Sequence, residues 1–414
     1  MSASLQQNCV KCGLCLSVCP VYKVLAQEQA SPRARIQLIK FFESGRLASS
    51  AGLKEMISRC LMCGSCAANC PSGIDHYARF MKMRSQMAED HGEPVAVKSL
   101  VFLLAKEYRI RWAAGLARLG QRLIPEKFSE TYNLGNIPVK RLPVFNTRPF
   151  RQAVPEIRSP KGVQKGRVVY FTGCATNYLF DRTGFSTLTV LNRMGYEVII
   201  PKNQTCCGIP LLYHGAVNQA KENVIKNMNC LDHGDIEAVI VDCPTCGAAL
   251  KNEYPALQDR FHLDAKQVEG ISSKVVDIMT FLYFRNGLDQ FTGIEETVTA
   301  TYHLPCHMKN GLPGMNTTEQ ILDALSFVRY RRAQDAHDCC GGGGTFFQEY
   351  PGLSKVMADQ KVKNAVSTQA RYWLTECPVC RINLSGNLSE TDRITVRHPV
   401  EIVTQSGYDN EDLS

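Results

Sequence analysis

Eighteen of the 19 cysteines in this 414-residue chain fall into four sets, and these sets limit what the chain can fold around. The first set reads CVKCGLCLSVCP and the second reads CLMCGSCAANCP. Their cysteines are Cys9, Cys12, Cys15 and Cys19, followed by Cys60, Cys63, Cys66 and Cys70. Each run has the spacing C-x2-C-x2-C-x3-C-P, which is typical of paired four-iron cubane clusters.

The spacing also predicts how the eight thiols divide between two cubanes. Three close cysteines wrap one cluster, and the fourth, which precedes a proline, turns away to the other cluster. A pair of zinc sites is the alternative, but zinc ligands usually come as separated C-x2-C knuckles. We therefore expect one cubane on Cys9, Cys12, Cys15 and Cys70, and the other on Cys60, Cys63, Cys66 and Cys19.

The 40 residues between the two runs are too long for a hairpin and predict helices. The stretch SPRARIQLIKFFESGRL has Ser31 as a candidate N-cap, Pro32 at the first helical position and Gly45 as a stop. The stretch GLKEMISRCLMC predicts a second helix that leads into the second run. The N-terminal cluster domain should therefore be mostly helical.

The remaining two sets show a duplication. They are Cys174, Cys206, Cys207, Cys243 and Cys246, and then Cys306, Cys339, Cys340, Cys377 and Cys380. Corresponding cysteines lie 132 to 134 residues apart, and the local sequences repeat, as in VVYFTGC and TATYHLPC. In each half β-rich segments precede the first cysteine and the C-P-x-C pair, with helical segments such as FSTLTVLNRMG between them. This order predicts two α/β halves with parallel strands, whose cysteine loops lie at the carboxyl ends of the strands.

The stretch DCCGGGG, residues 338–344, indicates what each half holds. Successive side chains of an extended backbone point to opposite faces, so two adjacent thiols reach one object only if the chain turns sharply. Glycine permits such a turn and lets backbone N–H groups approach the sulfurs. Five thiolates exceed the four of a zinc site or a cubane. They predict a non-cubane multi-iron cluster, with zinc plus one spare thiol as the alternative.

Composition excludes several other classes of protein. With 44% apolar and 21% charged residues the chain is an ordinary globular protein of several domains. The N-terminus lacks a secretory pattern, and no apolar run reaches the ~20 residues that span a bilayer. The thiols are therefore expected to be reduced or metal-bound in a cytoplasm.

Charge is concentrated in the N-terminal third. Residues 1–150 hold 21 Lys and Arg against 10 Asp and Glu, a net charge of +11, whereas the rest carries −3. No nucleic-acid-binding motif accompanies the excess, so we expect no nucleic acid partner. Residues 99–124 alternate apolar groups with Lys106, Arg109, Arg111, Arg118 and Arg122. This segment is predicted to lie on an anionic membrane surface or on a partner, and a helix packed on its own domain is the alternative.

With these motifs in place, the chain resembles a known family of iron–sulfur subunits. The repeated cysteine pattern is similar to the CCG domains of heterodisulfide reductase and of the iron–sulfur subunits of glycolate oxidase, D-lactate dehydrogenase and anaerobic glycerol-3-phosphate dehydrogenase. The stretches SPRARIQLIK, YHLPCHM, CCGGGGTF and VRHPVEIV also fit this family. The resemblance implies an α-helical two-cluster ferredoxin domain over 1–98, an amphipathic helix and Pro-rich basic linker over 99–166, and CCG domains over 167–297 and 298–414.

The resemblance also implies a function. The chain would be the electron-transfer subunit of a flavin-dependent 2-hydroxy-acid dehydrogenase, oxidising glycolate or D-lactate and passing electrons to a quinone or another carrier. No dinucleotide fingerprint, P-loop or haem attachment motif occurs, so the flavin is expected on a partner subunit. The alternatives are a heterodisulfide-reductase-type protein that reduces a disulfide, and the CCG-containing subunit of anaerobic glycerol-3-phosphate dehydrogenase. A cytoplasmic location is expected, with peripheral contact to the inner membrane as an option.

Four histidines near the cysteine loops are candidate partners of cluster sulfur or proton relays: His303, His307, His337 and His398. The plainer interpretation is a histidine that packs near the site or on the surface without contacting a cluster.

Overall fold

The fold is described from a computed structural model that covers residues 8–123, 132–160, 162–291 and 296–404. The N-terminal part is helical, as predicted. Capping serines begin two of its helices, and no strand lies within its described residues. Its helices are α1 (Leu14–Ser17), α2 (Pro20–Leu25), α3 (Pro32–Glu43), α4 (Ala51–Ser58), α5 (Ser65–Ala68), α6 (His76–His91), α7 (Val95–Leu104) and α8 (Glu107–Leu123). A 3-10 turn covers Glu28–Ala30.

Helix α3 shows how the sequence sets these elements. The Ser31 hydroxyl accepts a hydrogen bond from the Ala34 amide at 3.0 Å, and Pro32 occupies the first turn. The guanidinium of Arg35 is buried and donates to the carbonyls of Met56 and Arg59, at 2.9 and 2.7 Å. These bonds hold α3 against the end of α4, where the second cysteine run begins.

The stretch that follows α8 joins the helical part to the two halves. Its elements are β1 (Asn133–Leu134), β2 (Ile137–Pro138), the 3-10 turn Val139–Arg141, α9 (Phe150–Ala153) and β3 (Ile157–Arg158). Residues 124–131 of the predicted linker lie outside the described residues. Ile137 and Phe150 are fully buried, and β3 adds an antiparallel edge strand to the first large sheet. This stretch is therefore anchored to the halves at these buried side chains.

The first half is an α/β unit with five strands in the order β3-β5-β4-β6-β7. Its strands are β4 (Gly166–Phe171), β5 (Tyr196–Ile199), β6 (Ala238–Val241) and β7 (Val275–Asp277), and these four are parallel. Its helices are α10 (Gly173–Tyr178), α11 (Asp181–Arg193), α12 (Ile209–Tyr213), α13 (Val217–Leu231), α14 (Pro244–Ala248), α15 (Tyr254–Ala256), α16 (Gln258–Phe261), α17 (Ala265–Ser272) and α18 (Ile278–Phe284). A π-helical turn covers Ala249–Glu253, and a 3-10 turn covers Gly287–Phe291.

The second half repeats this plan. Its strands are β8 (Val298–Tyr302), β9 (Val328–Tyr330), β10 (Tyr372–Leu374) and β11 (Thr395–Arg397), all parallel, in the order β11-β10-β8-β9. Its helices are α19 (Cys306–Gly311), α20 (Thr318–Ala324), α21 (Phe346–Glu349), α22 (Pro351–Val366), α23 (Pro378–Asn387) and α24 (Pro399–Val403). The four parallel strands of each sheet follow the same order, and the antiparallel β3 is an addition to the first, so the duplication seen in the cysteines is a duplication of the fold.

The strand order places the cysteines together. β4 and β6 are neighbours in the first sheet, as β8 and β10 are in the second. Cys174 follows the end of β4, Cys243 follows β6, and the adjacent pair Cys206–Cys207 follows β5. Because carboxyl ends of parallel strands meet at one edge of a sheet, the five thiols of each half converge there. The strand β6 is buried along its whole length, as expected for a parallel strand covered on both faces.

Candidate functional site

The two N-terminal cysteine runs fold into the same loop. Lys11 and Met62, at equivalent positions, have φ of 58° and 52°, and Gly13 and Gly64 have φ of 86° and 76°. Each glycine starts a one-turn helix, α1 or α5, that carries the third cysteine of its run. Left-handed residues on both sides of the second cysteine curl each loop around its thiols.

The structure brings Cys19 to the second run rather than to its own. Burial raises the pKa of Cys66 well above its usual range, and the neighbouring thiols of Cys60, Cys63 and Cys19 raise it further, in that order. Burial also raises the pKa of Cys15, whose nearest thiol neighbours include Cys9 and Cys12. Thiols crowded in this way ionise together only around a cation, so the donor set fits an iron cluster.

Cys70 is half-buried and packs on an apolar cluster that cysteines of both runs contact, among them Cys9, Cys15 and Cys60. Its assignment to the cubane of Cys9, Cys12 and Cys15 therefore stays a prediction. The short helices α1 and α5 pack against each other and hold the two runs side by side.

The ten remaining thiols form two chains of contacts with the same pattern. In the first half the order is Cys174, Cys206, Cys207, Cys246 and Cys243, and in the second it is Cys306, Cys339, Cys340, Cys380 and Cys377. The Cys340 and Cys380 sulfurs are 3.0 Å apart. In each half the second residue of the adjacent pair makes hydrogen bonds with two neighbouring thiols, which lower the pKa of Cys207 and of Cys340 to about 6. The two halves therefore correspond thiol by thiol.

The glycines after Cys340 bring the backbone to the sulfurs, as the sequence predicts. The amides of Gly341 and Gly342 point at the sulfurs of Cys339 and Cys340, each at 3.4 Å. Gly341 has a φ of 80°, and a Cβ there would lie 2.8 Å from the Ser354 carbonyl oxygen. The tight turn around the adjacent pair therefore requires glycine.

All five thiols of the second half, from Cys306 to Cys380, line one cavity of about 90 Å³. Its wall also contains Cys60 from the second run and Tyr213, His214 and Thr245 from the first half. A single zinc ion would draw four thiolates to about 3.8 Å from one another, from a Zn–S bond of 2.3 Å in a tetrahedron. Five thiols around a space of this size suit a multi-iron cluster better.

The second run and the second half are in direct contact. Burial raises the pKa of Cys63 to about 12, and Cys306 is the first neighbouring thiol that adds to the rise. The Asn310 amide on α19 donates to the Cys63 carbonyl at 2.8 Å and to the Ser65 hydroxyl at 3.1 Å. The loop of one cysteine set is thus fixed by the helix that starts at Cys306.

A polar network connects the two halves. Thr245, which lies between Cys243 and Cys246, has its hydroxyl 3.9 Å from the Cys377 sulfur and 3.1 Å from His307 Nδ1. His307 Nε2 lies 2.8 Å from the Tyr213 hydroxyl, which donates to Tyr77 at 3.2 Å. Sequence reasoning missed the tyrosines and the threonine, because no spacing relates residues of three different domains. Only the T in CPTC, placed inside a cysteine pair, was a local signal.

The four candidate histidines have different surroundings. His337 pairs with Glu319 at 2.9 Å near the surface, and His398 caps α24 by accepting from the Val400 amide at 3.0 Å. His307 belongs to the polar network. His303 is fully buried, and neither ring nitrogen has a hydrogen-bond partner.

The segment predicted to face a membrane or partner is α7 and α8, with residue 124 outside the described residues. Arg109 lies over the Phe102 ring at 3.8 Å, and Arg118 donates to the Thr147 carbonyl. The exposed face of α8 is mostly apolar and not basic. It consists of Tyr108, Trp112, Leu116, Leu119 and Leu123, which are 55 to 71% exposed. The surface available for contact is therefore this apolar stripe, with Arg111 exposed beside it.

Comparison with known proteins agrees with this architecture. Residues 6–74 match the 4Fe-4S dicluster domain, and residues 168–251 and 300–385 match the cysteine-rich CCG domain. The chain is 26% identical over 395 residues to the probable glycolate oxidase iron-sulfur subunit of Bacillus subtilis, covering 91% of this chain and 88% of that protein. It is 26% identical to the glycolate oxidase iron-sulfur subunit of Escherichia coli, covering 97% and 94%.

A third relative belongs to a different enzyme. The chain is 25% identical over 425 residues to one subunit of the dihydromethanophenazine:CoB–CoM heterodisulfide reductase of Methanosarcina acetivorans, covering 96% of this chain and 93% of that protein. The relatives are thus subunits of more than one kind of oxidoreductase.

Proposed function

Because the chain belongs to the family of iron–sulfur proteins that join a 4Fe-4S dicluster domain to two CCG domains, we propose that it is the electron-transfer subunit of a flavin-dependent 2-hydroxy-acid dehydrogenase. It would receive electrons from a partner flavin subunit and pass them to a quinone or another carrier. Glycolate and D-lactate are the proposed substrates, in line with the glycolate oxidase subunits among its relatives.

The proposed ligands are the eighteen cysteines of the four sets. One cubane would bind Cys9, Cys12, Cys15 and Cys70, and the other Cys60, Cys63, Cys66 and Cys19. Each CCG half would hold a non-cubane four-iron cluster on its five thiols. When bound, these clusters accept and release single electrons.

The observation that carries this proposal is a continuous line of contacts from the second run to both halves. Cys63 lies beside Cys306, and Thr245 of the first half reaches the Cys377 sulfur at 3.9 Å. Side-by-side sites let electrons pass in single short steps. We therefore infer the spatial order of the cluster sites. The cubane that includes Cys9 comes first, followed by the cubane that includes Cys60, the cluster of the second half and the cluster of the first half.

Disulfide reduction is the second candidate function. The cavity lined by the five thiols of the second half also contains His214 and His307, so its wall offers polar groups besides sulfur. His214 Nε2 lies 2.7 Å from the Thr345 hydroxyl. A disulfide substrate would react there, whereas a pure electron carrier needs no substrate at this site.

We also propose that the apolar stripe of α8 rests on the surface of an anionic lipid bilayer on the cytoplasmic face of the membrane. A helix with Trp and Tyr on the stripe and arginines beside it is suited to the interface between lipid tails and headgroups. The net charge of +11 in residues 1–150 complements anionic headgroups. Within the part of the chain that the structure describes, no helix is long and apolar enough to cross a bilayer.

Vesicle binding tests the lipid contact. Changing both Trp112 and Leu116 to Glu should abolish pelleting with vesicles that contain an anionic lipid. Phe284→Glu, at another exposed apolar side chain (65% exposed), is the matched control and should leave pelleting unchanged. Equal pelleting of all three proteins would overturn the lipid contact.

Anaerobic purification of the complex tests the main proposal. Dye reduction with a panel of 2-hydroxy acids should reveal activity with glycolate or D-lactate, and disulfide substrates serve as the comparison. Four four-iron clusters predict about sixteen irons per chain. About eight irons with two zincs would contradict electron transfer through the CCG halves.

A further inference from the structure

The two halves differ at one buried position next to the cysteines. Three residues before its first cysteine, the first half has Phe171 and the second half has His303. Phe171 packs in the apolar cluster that contains Cys207, Cys243 and Cys246. His303 follows strand β8 directly, and its amide donates to the Leu374 carbonyl at 2.9 Å. The backbone frame is therefore shared, whereas the side chain changes from apolar to polar.

His303 is the kind of side chain that a protein interior rarely tolerates. It has no exposed surface, and both ring nitrogens lack a hydrogen-bond partner. The Ala336 carbonyl lies near the ring without meeting hydrogen-bond geometry to it, and this carbonyl accepts from the Leu304 amide at 3.2 Å. A buried polar group left without a partner destabilises the fold. Its presence therefore calls for a binding partner that supplies the missing interaction.

The position of the His303 ring indicates which group could bind its nitrogens. One ring nitrogen and the sulfurs of Cys340 and Cys380 all lie within 4.8 Å of one another. Cys340 is the thiol on which the contacts of this half converge, since its sulfur contacts those of both Cys339 and Cys380. The orphaned ring therefore lies within reach of two of the five proposed ligands of this half.

We propose that His303 contacts the cluster of the second half through a ring nitrogen, and that the first half lacks this contact because Phe171 replaces the histidine. This inference rests on the proposed cluster ligands. Its consequence is that the two CCG clusters are not equivalent. A nitrogen that bonds to cluster iron, or an N–H that donates to cluster sulfur, changes the reduction potential of the cluster it touches.

Lys361 is a second buried polar group near these thiols, and its charge also acts on His303. Lys361 is 3% exposed, and its ammonium donates to the Asp335 carbonyl at 2.5 Å. Among the ionisable neighbours of Lys361, Cys340 acts on it most strongly. A buried cation beside the thiolates favours the more reduced state of any cluster held there.

Electron spin-echo spectroscopy of the full chain, labelled with ¹⁵N-histidine and prepared anaerobically, tests the proposal. The reduced protein should show a histidine nitrogen coupling to a cluster. The coupling should disappear in His303→Phe, which copies the first half. It should persist in His307→Phe, in the adjacent polar network, and in His337→Phe, at the surface pair with Glu319. A strong coupling would identify an iron–nitrogen bond, and a weak one an N–H donor to sulfur.

A redox titration gives an independent measurement. His303→Phe should shift the midpoint potential of one iron–sulfur centre and leave the others unchanged. Wild-type protein without any histidine nitrogen coupling, or a coupling that survives in His303→Phe, would overturn the proposal. If His303→Phe binds too little iron to measure, a coupling in wild-type protein that persists in both His307→Phe and His214→Phe, the two histidines that line the cavity, decides the question. Iron content of about sixteen per chain without histidine coupling would refute this inference and leave the proposed function intact.

Discussion

Arg84 holds three parts of the molecule together, and its replacement offers a quantitative test of how they are joined. The side chain lies on α6 and is 9% exposed. Its guanidinium donates to the Tyr213 carbonyl at 2.7 Å, the Ser58 carbonyl at 2.9 Å and the Cys60 carbonyl at 2.6 Å. One residue thus connects a ferredoxin-domain helix, the loop of the second cysteine run and the first half.

We expect Arg84→Met to speed the opening of the Cys60 loop by about 100-fold. A hydrogen bond from a charged donor contributes about 1.5–3 kcal/mol, and three would give at least 4.5 kcal/mol if they were additive. The neighbouring cavity lets water reach part of the exposed carbonyls, and the Met side chain keeps most of the packing. A net loss of about 3 kcal/mol remains in the free energy that keeps the Cys60 loop closed. Each 1.4 kcal/mol corresponds to a tenfold change in the equilibrium between closed and open loop.

The assay is the rate of iron release to a ferrous chelator under anaerobic conditions, because the chelator reaches iron only when the loop opens. Arg84→Lys, which keeps the charge but loses the forked geometry, should fall between wild type and Arg84→Met. Arg46→Met is the matched control, since Arg46 is exposed and contacts only its own loop and the Phe41 ring. An acceleration of less than about threefold in Arg84→Met would refute the idea that these bonds hold the loop closed.

Two further predictions concern the ligands and the contact between the halves. Changing Cys70 to Ser should disturb the spectrum of the cubane held by Cys9, Cys12 and Cys15, and loss of the Cys60-type signal alone in low-temperature electron paramagnetic resonance would contradict the exchange of fourth ligands. Burial opposes ionisation of Glu401, but Arg381 at 2.7 Å and the Thr183 hydroxyl at 2.6 Å hold the pKa of Glu401 below its usual value. A lowered pKa means that ionised Glu401 stabilises the fold above its unfolded-state pKa, and that this contribution is lost as pH falls through the folded-state pKa. Glu401→Gln should therefore reduce stability to denaturant by about 3–5 kcal/mol at pH 7, and the loss should shrink progressively as pH falls from the ordinary carboxyl pKa through the lower folded-state value; a loss that stays constant over this whole range would contradict this reasoning.

The sequence predicted the parts of the molecule that depend on short-range order. Ser31 and Pro32 begin a helix because capping and a fixed φ act within one turn. The parallel strands and the position of cysteines after them follow from buried apolar runs at a repeated spacing. The convergence of five thiols in each half was predictable for the same reason, since the repeat fixes which strand ends meet.

The contacts between domains were not predictable, because no local pattern encodes which surfaces dock. Tyr213 and Asn310 have ordinary neighbours in the sequence, and Thr245 is marked only by its place inside a cysteine pair. The roles of all three arise where three domains meet. The linker was predicted from its prolines, yet Ile137 is fully buried against the second half. Proline content reports backbone restriction and carries no information about whether a segment is covered.

The glycine run after Cys340 is constrained both by its own half and by a contact with another domain. Gly341 and Gly342 are required by their own half, where a Cβ would meet Ser354 at 2.8 Å and the Val379 side chain at 2.9 Å. Gly343 has a φ of 48° and is constrained from two domains, because a Cβ there would overlap the end of the Leu61 side chain, which directly follows Cys60, and would lie 2.8 Å from the Phe346 Cβ of its own half. A side chain at position 343 would therefore displace the Leu61 side chain beside the Cys60 loop. The run that shapes one proposed cluster site thus also packs against the loop of the next, so a contact along the proposed electron path is built into the sequence of the CCG loop.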